Sequence, residues 1–230
     1  MKTNKFKLDT SLFELPYEEQ VFSQNGEDGV IKHLLQYTQK KNFVELGWGS
    51  GITNNCRNLA ENLNFTGATI DMKEPKVKFK QVNHIVKKLK PGDGQYIIDL
   101  QGKSPGLFSL DIDSFDYWLL KELLELGYRP DILIHEYNSV LGPQVKMARV
   151  HPGPFDKKVN YGATLMAYKE LLKEHYTFIT VESMGINAFY IRNDIDFKMP
   201  EKRLDFKYIQ RGDKDYLIKY KMNDSNWRNL

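Results

Sequence analysis

The chain has 230 residues, 41% hydrophobic and 27% charged, with 33 Lys and Arg against 30 Asp and Glu and a formal net charge of +3. That length suits one domain with a full core, and so small an excess of charge gives no argument for nucleic acid. A single cysteine, Cys56, excludes an internal disulfide framework and fits a reducing, cytoplasmic setting. No apolar run reaches the ~20 residues of a membrane span. The basic start Met1–Lys7 leads into no apolar h-region, so a signal peptide is not expected.

Residues 1–22 read as an N-terminal adapter, with Leu12, Phe13, Leu15, Tyr17, Val21 and Phe22 giving it apolar surface to pack. The polar stretch Ser23-Gln24-Asn25-Gly26-Glu27-Asp28-Gly29 then leads into a helix whose Val30, Ile31, Leu34 and Leu35 share one face. Ser23, Asn25 and Asp28 are capping types, and so dense a polar cluster also suits closure over a ligand.

Next comes Phe43-Val44-Glu45-Leu46-Gly47-Trp48-Gly49-Ser50-Gly51, a short apolar strand ending in an acid and three alternating glycines. Glycines let a backbone turn sharply off a strand and approach a ligand that a Cβ would push away. A helix is expected over Thr53–Asn62, with Cys56 a small buried side chain just inside it. A second apolar run, Gly67–Ile70, ends at Asp71, where a carboxylate can accept from ribose hydroxyls. The pattern is that of a nucleotide-type pocket. It departs from the dinucleotide G-x-G-x-x-G at Ile52, which occupies the third glycine position.

A lysine-rich segment follows (Lys73, Lys76, Lys78, Lys80, Lys87, Lys88, Lys90), by default a solvated face and otherwise one that steers an anionic substrate. His84–Leu89 reads as the third strand, and a short helix is expected within 92–102. Leu107–Asp111 is a strand followed by a helix carrying Trp118, Leu119, Leu123 and Leu124. Asp111, Asp113 and Asp116 repel one another at its carboxyl end, a placement that stability alone does not favour. Asp116 suits the helix start. The apolar strand 131–136 ends in Glu136 and Asn138. Residues 139–162 form a long aperiodic loop that can bring Lys146, Arg149, His151 or Tyr161 over the pocket. A helix from Gly162 to Lys173 and strands at Tyr176–Val181 and Asn187–Ile191 complete the domain, and the basic, aromatic 197–230 reads as an extension packed on it.

Five separated motifs, Ser23–Gly29, Glu45-x-Gly47-x-Gly49-x-Gly51, Asp111-Ile112-Asp113, Asp116-Tyr117-Trp118 and Glu136-Tyr137-Asn138, stand in an order that resembles S-adenosylmethionine-dependent methyltransferases. The resemblance covers about residues 22–194 and is to a branch of bacterial and viral enzymes related to the FkbM family. It implies a class I, Rossmann-like α/β domain over 23–196, a mostly parallel seven-stranded sheet with an antiparallel last strand. It also implies S-adenosylmethionine as cofactor, held by Gln24, Glu45, Gly47, Trp48, Gly51, Asn54, Asp71 and Met72, and O-methylation of a carbohydrate or small-metabolite hydroxyl. Asp111, Asp113, Glu136 and Asn138 are the expected catalytic group, acting as base or substrate anchor or holding Mg²⁺. Catechol-type enzymes that use such a metal have the acid and asparagine adjacent, whereas Tyr137 separates them here. A nicotinamide oxidoreductase and a cofactor-binding scaffold without turnover are the alternatives.

Overall fold

The computed structural model describes residues 17–139, 145–149, 162–198 and 227–230. The main sheet has seven strands: β1 Asn42–Leu46, β2 Thr66–Asp71, β3 Val82–Val86, β4 Leu107–Leu110, β5 Ile132–Glu136, β7 Tyr176–Val181 and β8 Asn187–Arg192. Their spatial order is β3-β2-β1-β4-β5-β8-β7. All neighbours from β3 to β5 are parallel, and β8 runs antiparallel to both β5 and β7. This is the expected Rossmann-like α/β sheet, seven-stranded and mostly parallel, distinguished from the dinucleotide-binding order by the inserted antiparallel strand.

The central strands are buried on both faces, which is why they read as continuous apolar runs rather than alternating ones. One face packs Phe43, Leu107, Ile132, Ile134 and Phe189 against Val30, Ile31 and Leu34 of helix α1 (Glu27–Leu34) and Leu59 of α2 (Arg57–Glu61). The other packs Val44, Phe108, Leu110, Leu133 and Tyr190 against α3 (Gly94–Gln101), α4 (Asp116–Glu125) and α5 (Leu165–Leu172). Thr164 caps α5 by accepting from the Ala167 N–H. At the amino edge, buried Asp131 takes Lys40 at 2.7 Å and Arg192 at 2.8 Å. No helix among the described residues is long and apolar enough to cross a membrane.

Three expectations shift. Helix α2 starts at Arg57 instead of Thr53, because Asn54 is pulled aside: its backbone N–H donates to Phe22 O and its side chain to Trp48 O. Strand β3 spans Val82–Val86 rather than 84–89, since β2 offers partners only up to Asp71, opposite Val86. The loop after β5 contains a strand, β6 (Met147–Arg149), which pairs antiparallel with β9 (Trp227–Asn229). His151, Tyr161, Leu12, Phe13, Leu15 and most of the C-terminal stretch lie outside the described residues.

Candidate functional site

The sequence motifs meet at the carboxyl edge of the parallel strands, where open α/β sheets bind ligands. Glu45, next to last in β1, has its side chain buried beneath the glycine loop, accepting the N–H groups of Asn55 at 3.2 Å and Cys56 at 3.1 Å. Burial pushes its carboxyl up to about 7. Glu45 therefore acts from below, tying the loop to the strand. Gly47 has φ 92°, and a Cβ there would lie 1.6 Å from the Asp111 carbonyl oxygen, so the close passage of β1 and β4 requires glycine. Gly51 is closed in the same way by the Trp48 indole.

Gly49 differs. Its φ is 57°, yet nothing lies within 4 Å of where its Cβ would stand. Its N–H donates to Asp71 Oδ2 at 2.8 Å, while Asp71 Oδ1 accepts from Lys73 N at 2.9 Å. Each of those oxygens keeps a further lone pair. The Trp48 indole turns inward, fully buried, its Nε1 donating to Val77 O at 3.4 Å beside Phe79 and His84. Met72 is exposed at the rim.

Asn54 is buried and donates Nδ2 to Trp48 O at 2.6 Å, which leaves Oδ1 with no hydrogen-bond partner. The polar segment before α1 is pinned to the same loop. Asp28 Oδ2 accepts the N–H groups of Val21, Phe22 and Ser23 at 2.7–2.9 Å, Phe22 O accepts from Asn54, and the Arg57 guanidinium lies 4.0 Å over the Phe22 ring. Gln24 is exposed on this segment, and its carbonyl accepts from Gln20 Nε2 at 3.0 Å. An open backbone face, a strand-end carboxylate and a buried orphan acceptor fit a nucleoside cofactor carrying hydroxyls and N–H donors.

Beyond β1, the ends of β4 and β5 bring Asp111, Asp113 and Glu136 together, one oxygen of each within 4.8 Å of the others. Asp113 adopts φ 57°, a strained value for a residue with a Cβ and one that clusters at functional sites. Asp116 is buried and structural: its two oxygens accept from Ile112 and Ser114 N–H, both at 2.8 Å, and so fold the turn that presents the other two aspartates. Burial first, and then the charges of Asp111, Asp116 and Asp113, hold the Glu136 carboxyl well above the usual range, with a hydrogen bond to Asp111. Asn138 is fully buried and its N–H donates to Ala163 O at 2.8 Å. Oxygens of this kind are also the hard ligands that Mg²⁺ takes.

Some neighbours carried little sequence signal. His135 points to the opposite face, fully buried between Tyr168 (3.8 Å) and Tyr190 (5.3 Å), and burial drops it to about 3, so it stays neutral. Arg149 is buried on β6, its N–H donating to Gly162 O and its carbonyl accepting from Trp118 Nε1 at 2.5 Å. Lys146, at the other end of that strand, pairs with Glu170 at 3.8 Å. Asn187 stands directly opposite Glu136 across β5 and β8. An asparagine opening a strand is unremarkable until the strand is known to run antiparallel, which brings its first residue to the carboxyl edge.

No family model matches the chain, and no curated protein matches it. Solved structures do. The O-methyltransferase from Bacillus cereus in complex with SAH is 18% identical over 71% of this chain and 78% of its own, with TM-score 0.45. The N-terminal domain of EvdMO1 with SAH bound is 11% identical over 74% of this chain and 81% of its own, TM-score 0.46. A ribosomal RNA methyltransferase, putative, from Plasmodium falciparum is 13% identical over 71% and 91%, TM-score 0.44.

Proposed function

We propose that the chain is an S-adenosylmethionine-dependent methyltransferase acting on a hydroxyl of a carbohydrate or small metabolite. The observation that carries the reading is Gly49, held at positive φ with an open face and bonded to the carboxylate that ends the next strand. When bound, the cofactor supplies a methyl group on a sulfonium, ready for transfer to oxygen. The chain's own work is placement. Asp71 accepts from ribose hydroxyls, the Gly47–Gly51 backbone lies along the cofactor, and Asn54 Oδ1 takes a donor from it. Glu45 and the Trp48 indole keep the loop in shape, and Gln24 and Met72 border its rim.

A hydroxyl attacking the methyl must release its proton, and a carboxylate at the ends of β4 and β5 is placed to take it. Glu136, raised by burial and by its acidic neighbours, is suited to be that base. Asp111, hydrogen-bonded to Glu136, and Asp113 orient the hydroxyl, and Asn138 supports the β5 end. Mg²⁺ bound by Asp111, Asp113 and Glu136 would displace the proton of that hydrogen bond and lower the hydroxyl's pKa instead. Against a nicotinamide cofactor stand Ile52 in place of the third glycine and the antiparallel β8.

Calorimetry with S-adenosylhomocysteine and with NAD separates the two cofactors, and binding of NAD alone overturns the reading. Labelled S-adenosylmethionine incubated with cell-extract fractions finds the acceptor; binding with no transfer to any fraction marks a scaffold. On the acceptor so found, Asp111→Asn, Asp113→Asn and Glu136→Gln are each assayed with and without EDTA. Turnover falls in at least one variant, and full turnover in all three shows the acidic group to be structural.

A further inference from the structure

The edge of the sheet beyond β5 is more acidic than the proposed reaction needs. Glu136 ends β5, and Asn187 opens β8 directly opposite it, so the two side chains share a face ~4.5–5.5 Å apart at Cβ. That face is the one covered by α1, where Ile132, Ile134 and Phe189 meet Val30 and Ile31. Two further buried carboxylates converge on the same asparagine. Glu27, the first residue of α1, accepts from Asn187 Nδ2 at 2.9 Å. Glu182, at the end of β7, accepts from the Asn187 N–H at 2.9 Å and from Ile186 N–H at 2.6 Å. Glu18 joins from the N-terminal side through Ser183 N–H at 2.6 Å. Among the described residues none of Glu18, Glu27, Glu136 and Glu182 has an ion-pair partner, although Glu27 and Glu182 are almost wholly buried. Burial and the charge of Glu27 push Glu182 up to about 8.

Asn187 itself is the second, independent sign. It is 7% exposed, and its Oδ1 has no hydrogen-bond partner. The orientation of the amide is not a free choice: a carboxylate only accepts, so Nδ2 must face Glu27 and the carbonyl oxygen is the atom left over. A buried carbonyl oxygen without a donor costs free energy, and its neighbours are acceptors too. What is missing there is a donor carrying positive charge. The distance from the cofactor loop decides which molecule brings it. β8 lies three strands from β1, ~14 Å along the edge at ~4.8 Å per strand. That is past the acidic trio, on the acceptor's side.

We propose that the molecule methylated here carries an ammonium group, bound by Asn187 Oδ1 between Glu27, Glu136 and Glu182 and serving as a recognition handle apart from the hydroxyl that is methylated. The inference rests on the methyltransferase reading for the identity of the acceptor end. It makes the inner wall cation-selective, while the lysines of the 73–90 segment stay on the outer rim around β3.

The test is calorimetry on the full chain saturated with S-adenosylhomocysteine, using glucosamine, N-acetylglucosamine and glucose at a pH where the free amine is charged. Glucosamine is expected to bind at least about tenfold more tightly than the other two, the scale of a charge-assisted hydrogen bond. Asn187→Leu abolishes that preference. If this variant does not fold, Glu182→Gln, nearly isosteric, is read instead and reduces the preference. Equal binding of the three sugars overturns the inference, and so does a preference that survives the variants. Failure of the homocysteine cofactor to bind removes the methyltransferase reading instead. The same three sugars titrated into the unliganded chain then still decide whether the wall takes an ammonium.

Discussion

Gly47→Ala and Gly49→Ala separate the two roles that glycine plays in this loop. Both residues sit at positive φ, 92° and 57°, so an alanine at either meets a backbone cost of roughly 1–2 kcal/mol. At Gly49 nothing else is added, because the space around the new Cβ is empty. At Gly47 the methyl lands 1.6 Å from the Asp111 carbonyl oxygen. That oxygen cannot retreat easily: the Asp111 N–H is bonded to Leu46 O at 2.9 Å, and β4 is held between β1 and β5 in the buried centre of the sheet. Overpacking of this kind adds about 1–3 kcal/mol, so Gly47→Ala should lose about 2–5 kcal/mol, a large part of the ~5–15 kcal/mol available to a domain. Urea titration of the variants measures it as a lowered midpoint at unchanged slope. Gly49→Ala should lose only the backbone cost of about 1–2 kcal/mol, a smaller drop in midpoint than for Gly47→Ala, while its affinity for S-adenosylhomocysteine drops at least about tenfold, since the methyl fills ligand space. Equal midpoints for the two variants, or a Gly49→Ala protein that binds the cofactor normally, would refute the assignment of Gly49 as the open face.

The buried acids make stability fall with rising pH. Between the ordinary carboxylate value of ~4.3 and their raised values, about 7 for Glu45 and about 8 for Glu182, the folded chain keeps protons that the unfolded chain has released. Stability is full below that window, declines through it and levels off above it. Thermal melts across the window should show this decline, and Glu182→Gln should make it shallower; a profile that rises with pH would contradict the burial of these groups. At the far edge of the sheet, Asp131→Ala removes a partner from Lys40, Arg192 and the Thr38 hydroxyl, while Arg192 keeps Asp194 and Lys40 keeps Ser104; it should cost about 1.5–3 kcal/mol with unchanged cofactor affinity, read by urea titration and calorimetry side by side.

How far the sequence anticipates this site depends on the range of the interaction. Strand ends were legible wherever an apolar run stopped at an acid, because burial on both faces leaves a continuous signal: Glu45, Asp71, Asp111 and Glu136 all stand at the carboxyl edge. The glycine turn was legible as a turn, but the division of labour within it was not. Whether Gly47 or Gly49 faces a ligand depends on where Asp111, some sixty residues on, happens to pass. The shortened start of α2 has a similar cause, since Asn54 answers to Phe22 and Trp48 and not to helix propensity. Trp48, expected among the residues that hold the cofactor, has its indole buried under Gly51, an orientation set by Val77 and Phe79. Asn187 and Glu182 gave the weakest signal, because their meeting with Glu27 joins the two ends of the domain.

The pairing of β6 with β9 has a consequence for how the chain opens. Its two strands are far apart in sequence, so closing this ribbon carries a large loop-entropy cost for a few hydrogen bonds. Such contacts form late in folding and are the first to break. β6 is tied on its other side to Gly162 and Thr164, and Gly162 N–H donates to Ser114 O, in the turn that presents Asp111 and Asp113. Amide hydrogens of the ribbon should therefore exchange by a local opening of low free energy, while those of β1, β4 and β5 wait for global unfolding. The turn that presents Asp111 and Asp113 can then lose its Gly162 bond and regain it many times over the lifetime of one folded molecule.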